Sequence, residues 1–180
     1  MNLPNKLTIF RIILIPVFCV FTLMDITGDA DKWIALAIFI IASLTDLADG
    51  KIARKYNLVT NFGKFMDPLA DKLLVCTALI CLMDIDLLPS WVVIIIICRE
   101  FIISGFRLVA SDNNIVIAAG IWGKMKTTFQ MFTVIALLIH IEHPVYQVIE
   151  QILIWISVAL TIISLMDYLI KNKQVLKEQN

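Results

Sequence analysis

Four aspartates, Asp46, Asp49, Asp67 and Asp71, lie inside stretches that are otherwise apolar. A charge within a membrane span costs about 2.5–3.5 kcal/mol on insertion scales, so acids retained there point to a function. On a helix, Asp46 and Asp49 are three residues apart, about 60° around the axis, and Asp67 and Asp71 are four apart, about 40°. The segment between the two pairs is short (roughly 57–63), which predicts antiparallel neighbouring helices and four carboxylates at similar depth. Four ionised carboxylates share a pocket only if cations share it too. An oxygen-only donor set suits Mg²⁺ or Mn²⁺. Two such ions about 3.5–4 Å apart clamp the attacking and leaving oxygens of an in-line phosphoryl transfer. The alternative pairs the acids with Lys51, Arg54, Lys64 and Lys72, but their spacing sets them on facing stripes.

The residues around the acids fit the same chemistry. Gly50 and Ala53 follow Asp46 and Asp49 by one turn and let a bulky ligand or a second backbone come close. Packing alone also uses small residues at such positions. Arg54, two turns after Asp46, offers a bidentate fork to a phosphate. Gly63 is expected to begin the returning helix.

The chain that must position these groups has 180 residues, 60% hydrophobic and 17% charged, with mean hydropathy +0.90. Soluble domains are nearer 45–50% apolar and about 25% charged. Lysine plus arginine and aspartate plus glutamate number 15 each, and this balance gives no reason to expect a nucleic-acid partner. Six stretches approach the roughly 20 apolar residues of a membrane span: about 7–24, 33–56, 65–85, 89–110, 124–141 and 145–170. Lipid solvates no backbone amides, so each is predicted to be a helix. The prediction is one all-α integral-membrane domain over residues 1–180, with Leu3-Pro4-Asn5 as a short interfacial lead-in. The first span ends at Met24-Asp25-Ile26 without a small-x-small cleavage site, so it is read as a helix and not as a signal peptide.

One set of helix ends carries Lys6, Arg11, Lys51, Arg54, Lys55, Lys64, Arg107, Lys124, Lys126, Lys171, Lys173 and Lys177. The opposite loops hold Lys32 as their one basic residue, with Asp25, Asp29, Asp31, Asp84, Asp86, Glu142, Glu150, His140 and His143. The positive-inside rule then places both termini, and the acids, on the cytoplasmic side. The four tryptophans mostly lie near helix ends, where they serve as interfacial anchors. Cys19, Cys76, Cys81 and Cys98 form no C-x-x-C pair and are expected to be buried free thiols. Asp167 is placed to pair with a lysine; Glu100 receives no role.

Asp46-x-x-Asp49-Gly50-x-x-Ala53-Arg54, eight residues, then Gly63-x-x-x-Asp67-x-x-x-Asp71 resembles the full signature of the CDP-alcohol phosphotransferase family. The resemblance implies a six-helix membrane enzyme, commonly a homodimer, with a cavity facing the cytoplasm. Such enzymes use divalent metals to move a phosphoalcohol from a CDP-linked donor to a hydroxyl, releasing CMP. It implies Asp46, Asp49 and Asp67 as metal ligands and Asp71 as ligand and general base. Asp49, Gly50, Ala53, Arg54 and Gly63 then contact the CDP donor. Asn5 and Thr8 either touch that donor or cap the first helix.

The acceptor is read from outer motifs. Leu3-Pro4-Asn5-Lys6-Leu7-Thr8-x-x-Arg11-x-x-x-x-Pro16, Arg99-Glu100-Phe101 with Arg107, and Gly123-Lys124-x-Lys126-Thr127-x-x-Gln130 resemble bacterial family members that use glycerol 3-phosphate. Arg99 lies about 12 Å of helix rise inside Arg107 and at that depth needs an anion or a wet cavity. The phosphate of glycerol 3-phosphate would supply the anion for Arg99, Arg107, Lys124 or Lys126. Alternatively Arg99 pairs with a carboxylate and the others are ordinary flank residues. The expected reaction moves phosphatidyl from CDP-diacylglycerol to the sn-1 hydroxyl of glycerol 3-phosphate, in the inner membrane. A cardiolipin synthase is the rival within the family. An ion path through the four acids is disfavoured because the outer halves of the second and third helices are apolar apart from Ser43, Thr45 and Thr77. A purely structural helix bundle explains the acids still less well.

A reporter fused after Asn180 should report cytoplasm, and one inserted between Asp84 and Asp86 the opposite side. A C-terminus outside the cytoplasm would overturn the orientation.

Overall fold

The computed structural model describes residues 2–55, 61–112 and 120–172, apart from the side chains of 47–55, 61–62, 64–65 and 111–112. Among the described residues it is all-helical. The elements are α1 (Leu3–Leu23), α2 (Asp31–Lys55), α3 (Asn61–Asp84), α4 (Ser90–Asp112), α5 (Ile121–Ile139) and α6 (Pro144–Lys171), with a 3₁₀ turn over Gly28–Ala30. Each helix covers one of the six expected segments, with ends displaced by a few residues. Two of them, Leu3–Leu23 and Pro144–Lys171, are long and apolar enough to cross a membrane by composition alone. The other four include the charged residues expected at the site, Asp46, Asp49, Asp67, Asp71, Arg99, Arg107, Lys124 and Lys126.

The expected interfacial lead-in is corrected. Leu3, Pro4 and Asn5 form the first turn of α1, and Pro4 sits where a helix needs no amide donor. Asn2 occupies the cap position, so Asn5 and Thr8 do not cap the helix. Gly63 likewise lies within α3, which starts at Asn61.

The chain divides into two units: Met1–Leu88 with Leu137–Ile139, and Pro89–Ala136 with His140–Asn180. In the first, α1 packs against both α2 and α3. Phe18 and Phe39 meet with ring centroids 6.1 Å apart, and the fully buried Ala35, Ala42, Ala70 and Ala78 allow close helix approach. The Cys19 and Cys81 sulfurs lie 3.9 Å apart as free thiols. Cys81 is buried and Cys98 is exposed, so burial of all four thiols does not hold. In an apolar medium an exposed thiol on a helix face costs little, which leaves this position unconstrained by packing.

In the second unit α4 packs on α6, with Trp91 and Trp155 5.6 Å apart. α5 is tied to α6 by the Thr133 and Ser157 hydroxyls, 2.8 Å apart, and by the Tyr146 hydroxyl, which donates to the Ala136 carbonyl. The short 140–143 connection makes these two helices antiparallel. There the His143 ring accepts from the Val145 amide at the start of α6, and His140 meets Glu150.

The turn before α2 is organised by Asp31. Its carboxylate accepts from the Thr27 hydroxyl at 2.6 Å and from the amides of Thr27 and Ile26 at 3.0 and 2.8 Å. The Thr27 hydroxyl, followed by these amides, holds the Asp31 carboxyl below its ordinary value of 3.8. A depressed carboxylate stabilises the fold fully above that value and ceases to do so as pH falls through the lowered one. Thermal melts of detergent-solubilised protein should therefore lose stability more steeply below about pH 4 in wild type than in Asp31→Asn. Parallel pH profiles would show that the turn contributes nothing.

Candidate active site

Asp46 on α2 and Asp67 and Asp71 on α3 are all half-buried, and Gly63 is buried. The partners of Asp46 and Asp67 come from α1. Arg11, wholly buried, places Nη1 2.7 Å from the Asp46 Oδ1 atom. Thr8, also wholly buried, directs its hydroxyl to the Asp67 Oδ1 atom at 2.6 Å and lies 3.1 Å from the Pro4 carbonyl. Thr8 and Arg11 are three residues apart, on one face of α1. That face therefore reaches one acid on each of the other two helices. The Asp46 and Asp67 carboxylates are close enough to repel one another.

Arg11 resembled only a charge marker of the helix end and part of an outer motif; the structure makes it the counter-ion of Asp46. The signal was present in its position, five residues into an apolar run and one turn from Thr8. The Thr8 hydroxyl, expected at a CDP donor or a helix cap, bonds to an acid. Asn5 is buried beside it on the same helix.

The side chains of Asp49, Gly50, Ala53 and Arg54 lie outside the described residues. Among the described residues alone, no group of three His, Cys, Asp or Glu side chains is assembled to hold a metal ion. The donors that are described nonetheless fit a hard cation. Asp46 and Asp67 are each held through one oxygen, Oδ1, and offer the second, Oδ2, in a set with no sulfur or imidazole. Mutual repulsion between them is what a divalent ion relieves.

The four expected acceptor cations all belong to the second unit, but their settings differ. Arg99 is buried on α4; its Nη1 lies 2.8 Å from the Glu100 Oε1 atom, and its Nε donates to the Ser164 hydroxyl on α6 at 3.2 Å. Lys126, 2% exposed on α5, pairs with the same Glu100 oxygen. Glu100 thus ties α4 to α5 through Lys126 while also pairing with Arg99 beside it, a role that its place in the sequence did not reveal. Gly123 lies next to Arg99, where a Cβ would make only ordinary contact, 3.5 Å from Nη2. Arg107 is exposed and lies over the Tyr168 ring at 5.8 Å, and Lys124 is exposed. Asp167 pairs with Lys171 at 2.7 Å, as its position predicted.

Residues 1–163 match the sequence profile of the CDP-alcohol phosphatidyltransferase family. The chain belongs to that family. It is similar to the CDP-diacylglycerol–glycerol-3-phosphate 3-phosphatidyltransferase of Bacillus subtilis, 46% identical over 195 aligned positions that cover 99% of both chains. It is 39% identical to the proteins of the same name from Rickettsia typhi and Haemophilus influenzae, over 93% of this chain and 94% and 91% of theirs.

Removing one partner of a buried ion pair strands the other, and one-third exposure of the Asp46 side chain moderates that cost. Arg11→Met should destabilise the protein by about 1–3 kcal/mol. The double variant Arg11→Met/Asp46→Asn should recover at least half of the loss in a detergent melt. Additive losses would show that the pair is not coupled.

Proposed function

We propose that this chain transfers the phosphatidyl group of CDP-diacylglycerol to the sn-1 hydroxyl of glycerol 3-phosphate, giving phosphatidylglycerophosphate and CMP. Similarity along nearly the whole chain to relatives bearing that activity in their names carries the reading. The buried Arg99–Glu100–Lys126 cluster supports it, because it gathers cationic donors of the kind that hold a phosphate.

Asp46, Asp49, Asp67 and Asp71 would hold Mg²⁺ or Mn²⁺, as a pair of ions. Bound there, the ions supply neutralisation of charge on the transferring phosphate and the departing CMP. Arg11 and Thr8 keep one oxygen of Asp46 and of Asp67 oriented and leave the other for the site. A carboxylate oxygen of Asp71 takes the proton of the sn-1 hydroxyl. The sn-1 oxygen so deprotonated attacks the β-phosphorus, the one carrying diacylglycerol, and the bond from β-phosphorus to the CMP oxygen breaks. Asn5, Thr8, Asp49, Gly50, Ala53, Arg54 and Gly63 receive the CDP part of the donor. Arg99, Arg107, Lys124 and Lys126 receive the acceptor phosphate, with the two buried cations fixed in place and the two exposed ones at the entrance.

The membrane setting follows the same reading. Six spans with both termini in the cytoplasm put the acids on the side where CTP-derived donors and glycerol 3-phosphate occur, in the inner membrane. The exposed apolar faces, such as Ile13, Ile94, Phe101 and Trp155, meet lipid or a second copy in a homodimer.

Purified protein with CDP-diacylglycerol and Mg²⁺, offered glycerol 3-phosphate, phosphatidylglycerol, inositol phosphate or serine separately, should release CMP with the first. EDTA should abolish turnover, and Mg²⁺ or Mn²⁺ should restore it. Asp71→Asn should lower kcat without a selective rise in the acceptor KM. CMP release with phosphatidylglycerol alone would instead identify a cardiolipin synthase, and robust turnover in EDTA would overturn the metal assignment.

A further inference from the structure

Two polar groups of the second unit are buried and unmatched. The Gln130 amide nitrogen and the Tyr168 hydroxyl make no hydrogen bond among the described residues, although the residues are only 2% and 6% exposed. Burying such a group without a partner costs about 1–3 kcal/mol, and native proteins rarely retain it without a reason. The other buried polar side chains of α5 and α6 are bonded: Thr133 to Ser157, Thr161 to the Ser157 carbonyl, Ser164 to the Thr161 carbonyl and Glu150 to His140.

Both unmatched groups flank the cationic cluster. Gln130 lies one turn after Lys126 on α5, and Tyr168 one turn after Ser164, the residue that holds Arg99. Helical side chains lean toward the N-terminus of their helix. Gln130 therefore leans back to Lys126 and Tyr168 back to Ser164, from opposite directions because α5 and α6 are antiparallel. The Tyr168 ring is fixed edge-on by Phe106 at 5.8 Å and lies under the Arg107 guanidinium. Both groups thus approach the level of Arg99, Glu100 and Lys126.

We propose that Gln130 and Tyr168 complete a subsite for a small phosphorylated alcohol, a proposal that rests on the acceptor reading above. The Tyr168 hydroxyl, on the ring that lies under Arg107, donates to a phosphate oxygen. The Gln130 carboxamide, which both donates and accepts, takes the hydroxyl that does not react. Gln130 is then a specificity-determining residue: it distinguishes glycerol 3-phosphate from a phosphorylated alcohol lacking the C2 hydroxyl. Tyr168 lies just beyond the stretch that matches the family profile, where acceptor-specific features have room to differ.

The test uses the full-length protein in detergent with CDP-diacylglycerol and either glycerol 3-phosphate or 3-hydroxypropyl phosphate. Wild type should favour glycerol 3-phosphate. Gln130→Met should raise its KM about tenfold and erase the preference, while Tyr168→Phe should raise both acceptor KM values about tenfold. The donor KM and kcat should stay within about twofold for both variants. Each substitution removes an unmatched buried group, so neither should lower the unliganded melting temperature. A purely structural role would do the reverse, lowering the melting temperature and leaving acceptor KM values unmoved, and that result overturns the subsite. Tyr168→Phe deletes a single atom and decides the matter if Gln130→Met is not recovered folded. A wild type that consumes neither acceptor overturns the glycerol 3-phosphate reading itself, which a shift confined to the variants does not.

Discussion

A charge buried in an apolar chain must have a partner, and in this protein α1 provides it. Arg11 is wholly buried against Asp46, while Thr8, one turn earlier, bonds Asp67. Two acids on two different helices are thereby tied to one face of a third. The arrangement resolves a conflict built into the sequence: carboxylates grouped for cation chemistry repel each other, and a bundle held only by apolar contact would have no means to counter that. One arginine offsets part of the negative charge without consuming both oxygens of any carboxylate. The site therefore keeps donors to offer while its helices stay together.

The second unit applies the same rule with the signs reversed. Arg99 and Lys126 are buried cations, and Glu100 answers both from a position adjacent to one of them. Both cations meet the same Glu100 Oε1 atom, Arg99 from the same helix and Lys126 from α5. Ser164 completes the setting of Arg99 by giving its Nε an acceptor. Arg107 and Lys124, by contrast, are exposed. The match to the CDP-alcohol phosphatidyltransferase family, over residues 1–163, takes in the acids of the first unit and the Arg99–Glu100–Lys126 cluster of the second.

Much of this was legible from residue order alone. Long apolar runs cannot be strands in lipid, so six helices and their approximate limits follow from composition and backbone chemistry. The acids at Asp46, Asp49, Asp67 and Asp71 could be grouped because helical spacing is a local rule, which puts residues three or four apart on one face. The pairing of Asp167 with Lys171 was readable for the same reason. Boundary details were less secure: the first turn of α1 begins at Leu3 because proline at an opening turn loses no hydrogen bond.

What periodicity cannot state is which face of one helix meets which face of another. Thr8 and Asp67 are 59 positions apart, Glu100 and Lys126 are 26 apart, and Arg99 and Ser164 are 65 apart. Those pairings arise when whole helices pack, and their energy depends on burial that no local window contains. The sequence by itself determined an all-helical, apolar chain with four acids on two predicted stripes and with cations at marked ends. Only the tertiary structure decided that Arg11 answers Asp46, that Glu100 binds two cations at once, and that the Gln130 amide nitrogen and the Tyr168 hydroxyl are buried with no hydrogen bond among the described residues. A partner's identity is a property of three-dimensional proximity in a medium without water, where every polar group must be matched or left costly.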